Sequence, residues 1–393
     1  MNDFQFQNTT KVYFGKDQLQ NLHTEVLKHG SKVLFAYGGG SLKRTGLYDK
    51  VIEELKNNDI EVYELAGVEP NPRHTTVNKG VQIVRENKIP CLLAVGGGST
   101  IDCCKAIAAT VYTDIDDVWK LVKKEVSFNK ALPVIAMPTI ASTGSEMDTS
   151  CQIANVELHV KGGLASPLLR PVASFLNPEN TYTVPKRQSA CGGFDIMMHL
   201  LDMNYFVDSP KNPLQFNVVE TLVRTLKQQL QVVMEDPTNY KARGTMLWGA
   251  SWALNSFCTS GFRTLPSIHS LEQLSAFYDQ THGQGLAIIL PKWMRYLLNK
   301  DETVIDDFAR FAVNIMECAS TGNKKQDALN GIEMLESYVK DILGLATTLT
   351  ELGINDEKFE DMAKAACRGN TSLKPTYREL SIQDCINIYK MCL

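Results

Sequence analysis

The sequence lacks several patterns that would define its class directly. It contains no GxGxxG fingerprint, and its ten cysteines form neither a CxxC pair nor a zinc-ligand spacing. No apolar run approaches the length of a membrane span, and the first residues show neither a signal-peptide core nor an arginine-rich transit pattern. We therefore expect a cytoplasmic protein whose thiols stay reduced.

An excess of positive charge is also missing. Lysine and arginine total 40 against 44 aspartate and glutamate residues, which gives a formal net charge of -4. Because no basic field is available to attract nucleic acid or an anionic membrane, a small neutral or polar molecule is the expected partner. The 393 residues, 44% of them hydrophobic, exceed the size at which one core usually stops growing, so we expect two domains.

The first half of the chain alternates strand-like and helix-like segments. Apolar runs end at Tyr37, Val95 and Met137, each at a cluster of glycine and hydroxyl residues. This alternation predicts a parallel sheet covered by helices, with ligands bound beyond the carboxyl ends of the strands. After Pro185 apolar residues recur at three- and four-residue intervals, which predicts an all-helical half. We place an α/β domain at residues 1–183, a helical domain at 184–393, and the active site in the cleft between them.

The glycine clusters indicate a nucleotide cofactor. GGGSTID, from Gly96 to Asp102, leads from a strand into a helix, where free N–H groups and the positive helix end suit a pyrophosphate. YGGGSLK, from Tyr37 to Lys43, lacks the acidic residue that commonly binds the ribose of NAD, so it favours the 2'-phosphate of NADP. Lys43 either contributes to this site or is a solvated surface charge.

The segment CGGFDIMMHL predicts half of a metal site. Asp195 and His199 are four residues apart, so on a helix they lie on one face and can reach one ion. His269 and His282 flank an amphipathic segment further along the chain. One aspartate with three histidines is a mixed oxygen and nitrogen set suited to Zn, Fe, Co, Ni or Mn.

Together these motifs resemble the iron-containing (group III) alcohol dehydrogenases, in particular the NADPH-dependent butanol dehydrogenase and aldehyde reductase branch. The matching motifs are GGGSTID, PTIASTGSEMD, KGGLASPLLRP, TYTVP with DIMMH, YDQTHGQGLAIILP, YGGGS, VEPNP and HSLE. The resemblance implies a dehydroquinate synthase-like architecture, in which an N-terminal α/β dinucleotide-binding domain with a parallel sheet precedes an all-α metal-binding domain. It also implies a homodimer.

The resemblance further implies the residues of the site. The metal ligands, which are also the catalytic residues, would be Asp195, His199, His269 and His282. Contacts to NADP(H) would come from Gly39, Gly40, Ser41, Asn71, Gly97, Gly98, Ser99, Asp102, Thr139, Thr143, Ser145 and Lys161. One divalent ion, Fe, Zn or similar, would act as a Lewis acid on the substrate oxygen while hydride passes between a primary alcohol or aldehyde and the nicotinamide.

The segment from His269 to His282 departs from the family pattern HxxEHxLSAxYDxxHG. Here HSLEQLSAFYDQTHG is one residue shorter, and Gln273 stands where the second histidine would be. If the helix were uninterrupted, the deletion would rotate the preceding residues by about 100° and turn His269 away from the other ligands. Ile268 would then take the ligand position and Glu272 that of the second histidine.

The alternative is that the backbone absorbs the missing residue, most easily in the turn before the helix, at residues 264–267. Three interpretations therefore stand. The first is a butanol-type alcohol dehydrogenase or aldehyde reductase, and the second is a polyol dehydrogenase of the same fold. The third is a nucleotide-binding protein with a defective metal site. A sugar-phosphate lyase is disfavoured because no Arg/Lys-rich phosphate pocket appears near DIMMH.

Overall fold

The computed structural model describes residues 2–158, 160–208, 212–262 and 265–393. The chain divides into two compact units, neither of which is continuous in sequence. The sheet unit consists of Gln7–Val184 and Thr238–Asn255. The helical unit consists of Met1–Phe6, Pro185–Pro237 and Ser256–Leu393.

A parallel sheet is the centre of the sheet unit. The described strands of this unit are β1 (Lys11–Phe14), β2 (Lys32–Tyr37), β3 (Glu61–Ala66), β4 (Leu92–Gly96), β5 (Val134–Pro138), β6 (Ser150–Asn155), β7 (Val160–Ala165) and β8 (Ala173–Leu176). The sheet has the order β1-β8-β5-β4-β2-β3, and every neighbouring pair in it is parallel. Strands β6 and β7 form a separate antiparallel hairpin.

The helices complete both units. In chain order they are α1 (Leu22–Leu27), α2 (Ser41–Arg44), α3 (Leu47–Lys56), α4 (His74–Asn87), α5 (Gly98–Thr110), α6 (Trp119–Val122), α7 (Lys186–Leu200), α8 (Pro213–Glu235), α9 (Tyr240–Leu254), α10 (Ser267–Leu271), α11 (Leu274–Phe277), α12 (His282–Lys300), α13 (Ile305–Asn314), α14 (Lys324–Ser337), α15 (Phe359–Ala366) and α16 (Ile382–Met391). Helices α1 to α6 and α9 belong to the sheet unit, and the others belong to the helical unit.

Alternating side chains of the central strands build a core on each face of the sheet. Leu34 and Ala36 of β2 pack with buried residues of α4 and α5, whereas Val33 and Phe35 pack with those of α1 and α3. Strand residues alternate between faces, so continuous apolar runs such as these are typical of strands buried on both sides. The carboxyl ends of the strands are thereby held at one edge, where the glycine clusters begin.

The helical unit has its own aromatic core. The ring of Phe206 lies within 5.9 Å, centroid to centroid, of the rings of Trp293, Phe308, Phe311 and Tyr377. Helix α7 packs against α8 and α12 and continues as a π-helical turn, Leu201–Tyr205. Within the described ranges, no helix combines the length and apolar composition needed to cross a bilayer.

This architecture confirms the predicted fold class, a parallel α/β region followed by a mostly helical region. Three details were not predicted. Strand β1 lies at the edge of the sheet, strands β6 and β7 form a hairpin outside it, and the helical unit contains a two-residue antiparallel pair, β9 (Ser372–Leu373) with β10 (Leu380–Ser381). These strands are short or partly exposed, so they lack the apolar run that identifies a central strand.

Candidate metal centre and nucleotide site

Three of the predicted ligands meet in the helical unit. Asp195, His269 and His282 each offer one ligand atom, and these atoms all lie within 4.8 Å of one another. Asp195 Oδ1 is 3.9 Å from Nε2 of His269 and 3.9 Å from Nε2 of His282. Such a group can close around an ion with bonds of about 2.0–2.2 Å, which are typical of histidine and carboxylate ligands of zinc.

His199, the fourth predicted ligand, lies beside this group without being part of it. It follows Asp195 by one turn of α7, and its Nε2 is 3.5 Å from Asp195 Oδ1. Its ring stacks on that of His269, with centroids 5.1 Å apart. Burial lowers the pKa of His199 to about 4, so the ring is neutral near pH 7 and retains a lone pair that can bind a metal ion.

A buried carboxylate, Asp202, orients His269. Its oxygens accept hydrogen bonds from the backbone N–H groups of Ser267 and His269 and from Nδ1 of His269, each at 2.8 Å. The bond from Nδ1 directs Nε2 toward Asp195, and Nε2 is a buried atom with no hydrogen-bond partner among the described residues. A buried, unpaired nitrogen facing a carboxylate fits a metal ligand better than a core histidine.

Asp202 was not among the predicted site residues, although the sequence carries a signal for it. The residue follows Asp195 by seven positions and His199 by three, so all three share one face of a helix. A third polar residue on the buried face of an apolar helix is unusual unless it has a partner. Here its partners are the first turn and the ring of the next candidate ligand.

The missing residue between His269 and His282 is absorbed by an interruption of the helix. Helix α10 ends at Leu271 and α11 begins at Leu274. His269 is therefore not rotated away from Asp195, and Ile268 is fully buried in the core. The interruption follows α10 instead of preceding it at residues 264–267, of which Thr264 lies outside the described residues.

In the sheet unit, the predicted phosphate-binding residues converge after β4. Gly97 precedes α5, and Gly98 begins it. A Cβ at Gly98 would lie 2.1 Å from Oγ1 of Thr143, so only glycine permits this close approach of the two loops. Ser99 Oγ accepts a hydrogen bond of 3.2 Å from the backbone N–H of Asn71, which joins a third loop to the pair. Free backbone N–H groups at this helix start suit a phosphate.

Asp102 and Ser145 belong to a buried polar network. Ser145 Oγ donates to Asp102 Oδ1 at 2.6 Å, and the backbone N–H of Gln152 donates to Oδ2 at 2.9 Å. The fully buried Lys105 donates to Ser145 Oγ at 2.9 Å and pairs with the carboxylate of Asp148. Burial raises the pKa of Asp102 to about 6, although the charge of Lys105 opposes the shift.

Lys105 was not predicted to take part in this site. The sequence nevertheless carries a signal for it, because Lys105 lies within the apolar helix segment IDCCKAIAATV. A charged residue in such a helix stays buried only when it has hydrogen-bond or ion-pair partners. The structure supplies those partners from the loop between β5 and β6. Lys105 therefore fixes the loop that carries Thr143 and Ser145 against α5.

A cavity of about 540 Å³ lies at residues that follow or end β1, β2, β5 and β8, which is the edge where open parallel sheets bind ligands. Of the predicted cofactor residues, Ser41 lines it. The cationic residues that line it are Lys16, Arg44 and Lys50. Lys43 instead lies over the ring of Tyr48, with its Nζ 4.6 Å from the ring centroid. Of the two adjacent cations that follow β2, Arg44 lines the cavity, and it was not among the predicted residues.

Of the other predicted cofactor residues, Gly39, Gly40 and Thr139 lie at the carboxyl ends of the sheet strands, whereas Lys161 lies in the separate hairpin. Gly39 and Gly40 connect β2 to α2, and the backbone N–H of Thr139 donates to the carbonyl of Gly96 at 2.9 Å. Lys161 is an exposed residue of β7, paired in register with Ala154.

Two features together are typical of metal-dependent dehydrogenases. One is a parallel sheet with glycine-rich strand ends suited to a dinucleotide, and the other is a helical unit whose Asp and His side chains can bind a metal ion. The chain matches the family "Iron-containing alcohol dehydrogenase" over residues 9–178 and "Fe-containing alcohol dehydrogenase family, C-terminal" over residues 189–393. It therefore belongs to the iron-containing alcohol dehydrogenases, as its motifs predicted, and is an alcohol or aldehyde oxidoreductase by family.

Individual relatives agree with this assignment over nearly the whole chain. NADH-dependent butanol dehydrogenase B of Clostridium acetobutylicum is 42% identical over 391 residues, which cover 99% of each chain. The NADPH-dependent aldehyde reductase YqhD of Escherichia coli is 32% identical, covering 93% of this chain and 92% of its own. The crystal structure of NADH-dependent butanol dehydrogenase A from Thermotoga maritima has a TM-score of 0.91 at 33% identity, covering 100% of this chain and 99% of its own.

Proposed function

We propose that the protein is an NADP(H)-dependent reductase of short- and medium-chain aldehydes that also oxidises primary alcohols such as butanol. The observation that carries this proposal is the donor group of Asp195, His269 and His282. Relatives named butanol dehydrogenase and aldehyde reductase support the substrate class.

The donor group suits one divalent ion, Fe, Zn or similar. Asp195, His269 and His282 would hold it, and His199 is close enough to Asp195 to be the fourth ligand. When bound, such an ion supplies Lewis acidity toward the oxygen of an alcohol or aldehyde. The chain contributes the orientation of its ligands: Asp202 fixes the ring of His269, and burial keeps His199 neutral.

The sheet unit would bind the dinucleotide at the carboxyl ends of its strands. The start of α5 and the loop at Thr143 offer backbone and hydroxyl groups for the pyrophosphate, and Asp102 with Ser145 forms a fixed polar pair in the same loop cluster. A nicotinamide cofactor bound there would supply or accept the hydride.

The preference for NADP(H) rests on the end of β2. Residues 38–41 carry no carboxylate, and Ser41 and Arg44 line the cavity there. A hydroxyl and a guanidinium suit a 2'-phosphate, which an acidic residue would repel. The names of the relatives are divided, since the butanol dehydrogenases are called NADH-dependent and YqhD is called NADPH-dependent. A homodimer and a cytoplasmic location remain part of the proposal.

The test is a rate measurement on protein supplied with Fe²⁺ or Zn²⁺ during purification. With butanal as substrate, we expect NADPH to be oxidised faster than NADH. With NADPH as cofactor, we expect butanal to be reduced faster than glyceraldehyde, a polyol-type substrate. His269→Ala should abolish the reaction, whereas His23→Ala, which removes a histidine paired with Glu54 in the sheet unit, should not. Faster turnover with NADH contradicts the cofactor assignment, and full activity of His269→Ala contradicts the metal site.

A further inference from the structure

The interruption between α10 and α11 is an ordered turn at Glu272. Glu272 has φ -74° and ψ 87°, and the N–H of Gln273 donates to the carbonyl of Leu271 at 2.8 Å. Those dihedrals and that bond define an inverse γ-turn. The turn directs the side chain of Glu272 into the interior, where the residue is only 4% exposed.

The carboxylate of Glu272 connects two helix starts. It accepts hydrogen bonds from the backbone N–H of Ser275 at 2.9 Å and from its hydroxyl at 2.8 Å, both in the first turn of α11. It also accepts a hydrogen bond from Nδ1 of His282, the first residue of α12. One side chain thus ties the turn to the candidate ligand that follows it.

This contact determines which nitrogen of His282 is available. A proton held on Nδ1 by a carboxylate leaves the lone pair on Nε2, the atom that lies 3.9 Å from Asp195 Oδ1. The side chain of His282 is 39% exposed, compared with 11% for His269, so burial alone does not fix its ring. Glu272 does for His282 what Asp202 does for His269.

The neighbouring helix leaves room for this carboxylate. A Cβ at Gly285 would lie 2.4 Å from Oε1 of Glu272, so a side chain at that position would displace the carboxylate. The second turn residue, Gln273, uses its side-chain amide to bond the carbonyl of Ser270 at 2.9 Å. The turn at Glu272, its carboxylate and the space left by Gly285 therefore together hold the ring of His282.

We propose that Glu272 is a positioning residue that orients His282 for metal binding, and that the one-residue-shorter connection brings it into this position. The inference rests on the proposed metal site, because it assigns a role toward that ion. It assigns Glu272 no contact with substrate or cofactor.

The test compares Zn²⁺ binding by the wild type and by Glu272→Gln, measured by competition with a chromogenic chelator. Glutamine has one neutral acceptor oxygen in place of two charged ones, so His282 Nδ1 either loses its acceptor or keeps a weaker hydrogen bond than the carboxylate gives. We expect the Zn²⁺ affinity to fall by about 10- to 100-fold, as for other groups that orient metal ligands. The matched control is Asp327→Asn, which removes a buried carboxylate that likewise accepts from a backbone N–H and hydroxyls, but holds no histidine.

A second readout uses the metal-free wild type, so it does not depend on the folding of a variant. At a pH where the ring is neutral, ¹⁵N spectra of labelled histidine should show the proton of His282 on Nδ1; a proton on Nε2 overturns the inference. Equal Zn²⁺ affinity of Glu272→Gln, Asp327→Asn and the wild type also overturns it while leaving the proposed function intact. A wild type that takes up no Zn²⁺ contradicts both.

Discussion

Gly283 lies where the helix of His282 touches the helix of Asp195. A methyl group at this position would lie 2.1 Å from the carbonyl oxygen of Cys191 and 2.7 Å from its carbonyl carbon. Because a Cβ essentially never comes closer than 3.0 Å to another heavy atom, Gly283→Ala must separate α12 from α7 locally by about 0.9 Å. A metal site tolerates changes of only about 0.2 Å in its bond lengths, so the donors would no longer meet at one ion.

We expect Gly283→Ala to lower the free energy of unfolding by about 1–3 kcal/mol, as overpacking does, and to weaken Zn²⁺ binding by about 100-fold. The assays are urea unfolding of the metal-free protein and Zn²⁺ competition with a chelator. The matched control is Gly331→Ala, whose Cβ would lie 2.5 Å from Cβ of Ala312 between α13 and α14. It should destabilise the protein comparably and leave Zn²⁺ affinity unchanged. Equal Zn²⁺ affinity of the two variants would refute this reasoning.

Three further changes separate the parts of the molecule. Asp202→Asn should lower the free energy of unfolding by about 2–3 kcal/mol and reduce Zn²⁺ affinity by about 10- to 100-fold, because three buried N–H groups share its carboxylate. Urea unfolding measures the first change, and chelator competition measures the second. Gly98→Ala, which would collide with Thr143, should abolish NADPH binding in a fluorescence titration but keep Zn²⁺ binding. Burial raises the pKa of Glu25, but hydrogen bonds from Lys28, Tyr13 and Lys11 lower it to about 2 from an ordinary 4.5. This carboxylate therefore stabilises the fold above about pH 4.5 and loses that effect as pH falls toward 2, so Glu25→Gln should flatten the pH dependence of unfolding by about 2–3 kcal/mol in that window.

The central strands and the family membership were predictable because their signals are local. Strands such as β2 and β4 are continuous apolar runs that end in glycines, and after β4 a side chain at Gly98 would collide with Thr143. The family motifs are contiguous letters in a fixed order, and the matches over both halves of the chain confirm them.

The path of the chain between His269 and His282 could not be predicted in the same way. Its apolar spacing is compatible with an unbroken helix, and only contacts distant in sequence decide against it. Asp202, more than sixty positions earlier, holds the first turn of α10, and Glu272 bonds to the start of α12. These tertiary hydrogen bonds override a local helical preference that is worth only tenths of a kcal/mol per residue, about 0.7 at most.

Which charged residue lies at the proposed nucleotide site could not be predicted from the sequence either. Lys43 and Arg44 are adjacent and both carry a positive charge, so the sequence alone does not distinguish them. The rings of Tyr37 and Tyr48 attract Lys43, and Arg44 is the one that lines the cavity. Which of two neighbouring cations faces a ligand depends on aromatic residues that the fold brings together.

The proposed function depends above all on one ion bound by Asp195, His269 and His282. Anomalous diffraction from crystals of the protein grown with Zn²⁺ measures this directly. We expect one strong peak about 2.0–2.2 Å from Asp195 and from Nε2 of both histidines. A peak elsewhere, or a His269 ring turned away from Asp195, would contradict it.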